Sequence, residues 1–116
     1  MPKKSRITRL GRYRYVILLS TFPKKKDAER VAEGLIDKKL AACCNLLPGL
    51  VSFYRWKGKR ECSKEFLLFI KTESRSLEKV RNFFRLHHPY ELPEFVGVPI
   101  TAGDSSYLKW MGQAIR

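Results

Sequence analysis

The only two histidines of this 116-residue chain stand side by side in His87-His88-Pro89-Tyr90. Imidazole is the commonest protein ligand for copper and zinc. Neighbouring residues on a helix point about 100° apart. Both rings therefore reach one ion only if the helix frays before Pro89 or if another subunit completes the site. The structural alternative puts one histidine on an apolar helix stripe and the other at the helix C-terminus, where a cation complements the macrodipole. Spacing alone leaves both open. The thiols are less suggestive. Cys43 and Cys44 are adjacent on a predicted strand and face opposite ways, so they do not share a metal ion. With Cys62 they form neither a Cys-x-x-Cys pair nor a disulfide framework. Free thiols in a reducing cytoplasm follow. Ser20, Thr21 and Cys43 either line a cleft or serve as ordinary sheet residues. Lys24-Lys25-Lys26 opens a helix at the end suited to an anion, or is a solvated charge run. No nucleophile elbow, phosphate-cradling loop or paired-carboxylate pattern is present, and nothing in the residues argues for an enzyme.

The elements that must position these groups follow from periodicity. Arg14 to Thr21 is a short, nearly continuous apolar strand, of the kind buried on both faces or covered by helices. From Lys24 the period changes, and Ala28, Val31, Ala32, Leu35 and Ile36 define one face of an amphipathic helix ending at Lys38-Lys39. Gly34 within it marks close helix–sheet packing. Ala41 to Thr72 then reads as two long strands folded at Trp56-Lys57-Gly58-Lys59, where Lys57-Gly58 suits a turn needing positive φ. Pro48-Gly49 interrupts the first arm and predicts a bulge or bend. Each arm reaches roughly 40–50 Å, about twice a typical strand. A protruding ribbon bearing Phe53, Tyr54 and Trp56 is unstable alone in water, so a second copy of the chain is expected against it. A second helix begins near Ser74 or Ser76. Leu77, Val80, Phe84 and His87 form its inward stripe, with Phe83 on the flank, and Pro89 ends it. Phe95 to Ile100 is a strand near an edge because of Pro99. Asp104 or Ser105 caps a last helix with Tyr107, Leu108, Met111 and Ile115 as its apolar face.

The order β-α-β-β-α-β plus a terminal helix predicts an α+β, ferredoxin-like sandwich, an antiparallel sheet with two helices on one face. The length predicts a single domain over residues 13–116. The net charge is +13, and five of those charges fall in the first 13 residues, which contain no acid. Residues 1–12 read as a basic, disordered arm, too short for most transit peptides and followed by no signal-peptide pattern. No apolar run approaches the roughly 20 residues of a membrane helix. The diffuse positive surface favours an anionic ligand or an acidic partner without naming one. An RNA-binding module shares the element order, and Tyr54, Arg55 and Trp56 suit base stacking. Against it, Lys64 to Ile70 lacks the Gly-containing aromatic signature of such sheets, so no specific nucleic acid is expected.

Several separated motifs, in order, resemble the CutA divalent-ion tolerance proteins. They are Ser20-Thr21-x-Pro23, Leu40-Ala41-Ala42-Cys43-x-Asn45, Tyr54-x-Trp56-x-Gly58-Lys59, Lys71-Thr72, His88-Pro89-Tyr90-x-x-Pro93-Glu94 and Tyr107-Leu108-x-Trp110. The resemblance covers about residues 15–113. It implies a cytoplasmic, non-enzymatic homotrimer similar in architecture to the PII signalling proteins, with the long hairpin in the inter-subunit contacts and Tyr54 and Trp56 at the interface. It further implies a role in tolerance of copper and other divalent cations. His87 and His88 match the family's copper-ligand candidates, while Ser20 stands where copper-binding members carry a cysteine; a hydroxyl is a poor substitute for a soft thiolate. Lys71, Tyr90 and Trp110 are the implied neighbours of an inter-subunit cleft. A trimer binding a small anionic ligand, by analogy with PII, is the alternative.

Overall fold

In the computed structural model, which describes residues 6–116, the chain runs β1 (Tyr15–Phe22), α1 (Lys25–Asp37), β2 (Cys43–Trp56), β3 (Lys59–Glu73), a 3-10 turn (Ser74–Ser76), α2 (Leu77–His87), β4 (Val96–Pro99) and α3 (Ser105–Ala114). The four strands form one antiparallel sheet in the order β2-β3-β1-β4, which is the expected ferredoxin-like arrangement. Residues 1–5 of the expected basic arm lie outside the described residues. Residues 6–12 carry no regular secondary structure, yet Ile7 packs against the core and Arg9 donates to the Ser74 hydroxyl at 2.7 Å.

Alternation along the strands decides what is buried. Val16, Leu18 and Phe22 of β1 and Leu68 and Ile70 of β3 face α1 and α2, where Ala28, Val31, Leu35, Val80, Phe83 and Phe84 complete the core. Two hydroxyls are fully buried in this layer. Thr72 donates to the Leu40 carbonyl at 2.7 Å, and Ser20 meets a histidine described below. The other face is not closed. Ile17, Leu19, Leu67 and Phe69 are only partly covered, and Leu47, Val96 and Val98 are exposed by 45–50%. Of the two expectations for β1, burial on both faces or cover by helices, the structure shows the second. The terminal helix α3 covers one end of this face, where Met111 and Gly112 are buried beside Tyr15 and Glu73.

The helix boundaries have local causes. α1 lacks a side-chain cap, carries Asp27 in its first turn and ends where Lys39 enters the left-handed region at φ 57. Ile36, expected on the inward face, is 40% exposed. Gly34 faces α2 rather than the sheet, because a Cβ there would run into the Phe83 ring; the close approach is helix to helix. α2 stops at His87 because Pro89 forces His88 into extended backbone, at φ −77 and ψ 133. Asp104 caps α3 by accepting from the Tyr107 amide at 3.1 Å.

The long hairpin is as expected. Lys57 and Gly58 both have positive φ, 51 and 79, the signature of a tight hairpin turn whose twist matches its strands. Between Leu47 and Leu50 the register shifts by one residue, with Gly49 at φ 82 supplying the bulge. At about 3.3 Å per residue, the fourteen residues of β2 account for the whole 45 Å long axis of the molecule.

The Gly34 contact sets a test. Overpacking costs about 1–3 kcal/mol and opposes the roughly 1 kcal/mol of helix propensity that alanine adds. Gly34→Ala is therefore expected to lower the denaturation midpoint, and adding Phe83→Leu to recover part of the loss. A Gly34→Ala protein as stable as the parent contradicts the packing assignment.

Candidate functional site

The two histidines are separated by the end of α2, and their roles are the reverse of the expected inward-and-terminal order. His87, placed on the inward stripe by periodicity, is only half-buried. Its ring lies 4.2 Å from the Phe83 ring, and its carbonyl accepts from Arg30 at 3.0 Å. His88, in the extended residue after the helix, turns inward instead. It stacks on Phe22 at 4.1 Å with a 22° interplanar angle and lies 5.4 Å from Phe84.

The hydrogen bonds of His88 fix its tautomer. The Tyr90 amide donates to Nδ1 at 3.1 Å. An N–H cannot accept, so Nδ1 carries no proton and Nε2 must carry the one on the neutral ring. Nε2 donates to the Thr21 carbonyl at 3.1 Å, with the Ser20 hydroxyl 3.2 Å away. Burial lowers the imidazole from its ordinary 6.5 to about 4, against the opposing pull of the Thr21 carbonyl and the carboxylates of Asp27 and Glu65. Ser20 and His88 are thus brought together, as a closed pair whose nitrogens are both in use.

Tyr90 continues the cluster outward. Its hydroxyl donates to Glu65 at 2.6 Å, and burial together with that bond raises the phenol. Glu94 is raised by burial and then by the Glu65 charge. Glu94 closes the motif that begins at His88, whereas Glu65 is signalled only by its place at the edge of the apolar run Phe66 to Ile70. Cys44 faces the core, where burial and then the neighbouring Cys43 push its thiol up to about 12. Cys43, on the opposite face, lies 3.5 Å from the Asn45 side chain.

The remaining cleft candidates lie elsewhere. Lys71 sits between Ile17 and Cys43 in the sheet register, with its ammonium 5.9 Å from the Tyr107 ring, which in turn lies 5.4 Å from Trp110. Six residues of β3, about 20 Å, separate Lys71 from Glu65, the partner of Tyr90. One chain therefore does not bring Tyr90 together with Lys71 and Trp110. At the hairpin tip Tyr54 and Trp56 are 43% and 42% exposed, and Tyr54 bonds the Ser63 hydroxyl at 2.8 Å.

A metal ion is poorly served by these residues within one chain. His88 has no free lone pair, Ser20 is fully buried, and among the described residues no group of three or more His, Cys, Asp or Glu is disposed to hold an ion. His87 is left as the one imidazole whose ring is engaged by no hydrogen bond among the described residues.

The sheet, the two helices on one face and the overlong ribbon define a ferredoxin-like α+β protein. The chain belongs to the CutA1 divalent ion tolerance protein family, whose model matches residues 16–114. Among relatives, the protein CutA homolog of Xenopus laevis is 43% identical over 95 residues, 82% of this chain and 63% of its own length. The divalent-cation tolerance protein CutA of Thermus thermophilus is 39% identical over 82% of this chain and 92% of its own. The periplasmic divalent cation tolerance protein CutA of Archaeoglobus fulgidus superposes with a TM-score of 0.85 at 35% identity, over 88% of this chain and 99% of its own. This chain is thus shorter than the vertebrate relative and nearly coextensive with the prokaryotic ones. None of these names describes a reaction.

The buried His88 makes stability depend on pH. Unfolded, the imidazole takes a proton near 6.5; folded, near 4. Its contribution is full above pH 6.5 and is lost as pH falls toward 4. Between pH 7 and pH 5 the loss is about 2 kcal/mol per chain. His88→Gln is expected to be less stable at pH 7 and to show a much flatter pH dependence over that interval, measured by chemical denaturation. An unchanged slope would show that another group titrates there.

Proposed function

We propose that this chain works as a non-enzymatic, homotrimeric divalent-cation tolerance protein of the cytoplasm. The observation that carries the trimer is the open sheet face. Leu47, Val96 and Val98 are about half exposed on it, and it continues into a ribbon whose Tyr54 and Trp56, on the same side, are 43% and 42% exposed. Apolar surface of that extent, on a two-stranded ribbon whose far half is exposed among the described residues, is stabilised by another protein surface. Family resemblance makes that surface two more copies of the same chain in a PII-like ring. Three free thiols suit a reducing compartment.

The separation of Tyr90 from Lys71 and Trp110 supports the same assembly, because a cleft containing all three needs contributions from different subunits. The cation reading narrows to His87. Copper(II), or another divalent cation of similar preference, is taken by its imidazole together with donors from a neighbouring subunit. His88 and Ser20 act behind it by holding the end of α2 against β1.

Light scattering at micromolar concentration is expected to give three times the chain mass, and a monomeric mass would sink the assembly. Calorimetric titration of the assembled protein with copper(II) separates the ligand assignment. His87→Ala is expected to lose the tightest binding, whereas His88→Gln retains it. Binding by His87→Ala equal to that of the parent rules His87 out.

A further inference from the structure

A second charged feature lies at the opposite end of β1 from the histidines and outside the site they form. Glu73, the last residue of β3, is 3% exposed, and three guanidiniums converge on its carboxylate. Arg75 lies at 3.0 Å, Arg116 at 3.1 Å and Arg14 at 3.9 Å. One residue on, Ser74 receives Arg9 through both its hydroxyl, at 2.7 Å, and its carbonyl, at 3.2 Å. Exposed Arg6 and Arg12 flank Arg9 along the chain. A single buried acid thus anchors a concentration of arginines whose charge it does not balance.

The anchoring leaves most of the donors unused. Each guanidinium carries five N–H groups, and two carboxylate oxygens absorb few of them. Arg14, Arg75 and Arg116 keep 63%, 61% and 49% of their side-chain surface in solvent. Arg14 is further steadied over the Tyr15 ring, 5.1 Å from its centroid, and Arg116 by the Gly112 carbonyl. The result is a fan of forks held in place before any partner arrives, which reduces the ordering cost of binding.

We propose that this end of the sheet is a docking surface for the phosphate backbone of single-stranded nucleic acid, bound without regard to base sequence. The cations paired with Glu73 and Ser74 are all arginines, and the planar fork matches phosphate oxygens in pairs where lysine supplies only a point charge. Tyr13, exposed between Arg12 and Arg14, adds a stacking face of the kind such strands use. The family does not account for the feature: Arg6, Arg9, Arg12, Arg14 and Arg116 all fall outside the matched residues 16–114. This surface is also distinct from the aromatic hairpin tip, which is covered in the proposed trimer.

The test uses the full chain and a fluorescein-labelled oligouridylate, followed by anisotropy between about 50 and about 200 mM salt. Arg14→Gln/Arg75→Gln removes two charges yet keeps the Arg116–Glu73 pair, so the buried carboxylate stays partnered. Lys25→Gln/Lys26→Gln removes the same charge from the far end of β1 and serves as the charge-matched control. The parent is expected to bind with steep salt dependence. The arginine variant should bind roughly tenfold more weakly at the lowest salt, with the log–log salt slope reduced by about 1.4; the lysine variant should stay within about twofold of the parent. Equal losses in the two variants would overturn the proposal in favour of overall charge. So would no binding by the parent at the lowest salt, or binding to phosphatidylserine vesicles without binding to the oligonucleotide.

Discussion

Antiparallel pairing of Tyr15–Phe22 with Phe66–Glu73 decides which face of the sheet each side chain of these two strands serves. Because side chains alternate along a strand, one register assigns Ser20 and Thr72 to the dry layer under the helices and Ile17, Phe69 and Lys71 to the open face. The same register places Thr21 where its carbonyl meets His88 and leaves Glu73 at the far end among the arginines. A slip of β3 by one residue against β1 would bury Lys71 and expose Ile70. The two ends of the ladder therefore carry different chemistry for a reason of geometry. At one end a neutral imidazole closes the helix layer onto the sheet. At the other a carboxylate gathers guanidiniums at the surface.

The buried imidazole shows why adjacent histidines are hard to read. Pro89 is the deciding residue: it excludes His88 from the helix and rotates its ring into the space between Phe22 and Phe84, while His87 keeps its helical direction and half of its exposure. Sequence spacing treats the two as near equivalents. In the structure one is a packed, fully hydrogen-bonded core residue and the other is half-buried, its ring engaged by no hydrogen bond among the described residues. Ser20 closes its hydroxyl onto the buried ring, 3.2 Å from Nε2.

Much of the fold was legible from local chemistry. The alternation of β3, the three-and-four spacing of Ala28, Val31 and Leu35, the Lys57-Gly58 turn and the Pro48-Gly49 interruption each act within a few residues, and each has the consequence its chemistry requires. What stayed hidden depends on residues far apart in the chain. Gly34 is small because of Phe83, which lies in the other helix. Glu65 matters because Tyr90 reaches it, and Glu73 because Arg14 and Arg116 arrive from opposite ends of the sequence. The family motifs recovered part of this, marking Tyr90 and Lys71 as residues of interest, but one chain holds them at opposite ends of a strand.

The bulge at Pro48-Gly49 has a consequence larger than a bend. Before it, Leu46 pairs with Leu68; after it, Leu50 pairs with Glu65. Two residues of β3 oppose three of β2, so the odd–even parity of β2 reverses. Even-numbered residues point to the helix layer as far as Leu46 and to the opposite side from Leu50 onward, which carries Tyr54 and Trp56 to the same side as Leu67 and Phe69. Gly49 thus works as a frameshift in side-chain orientation. Removing that one residue would leave the ribbon's composition almost unchanged and exchange its two faces, so the pattern of aromatic residues along its outer half has meaning only together with the interruption that precedes it.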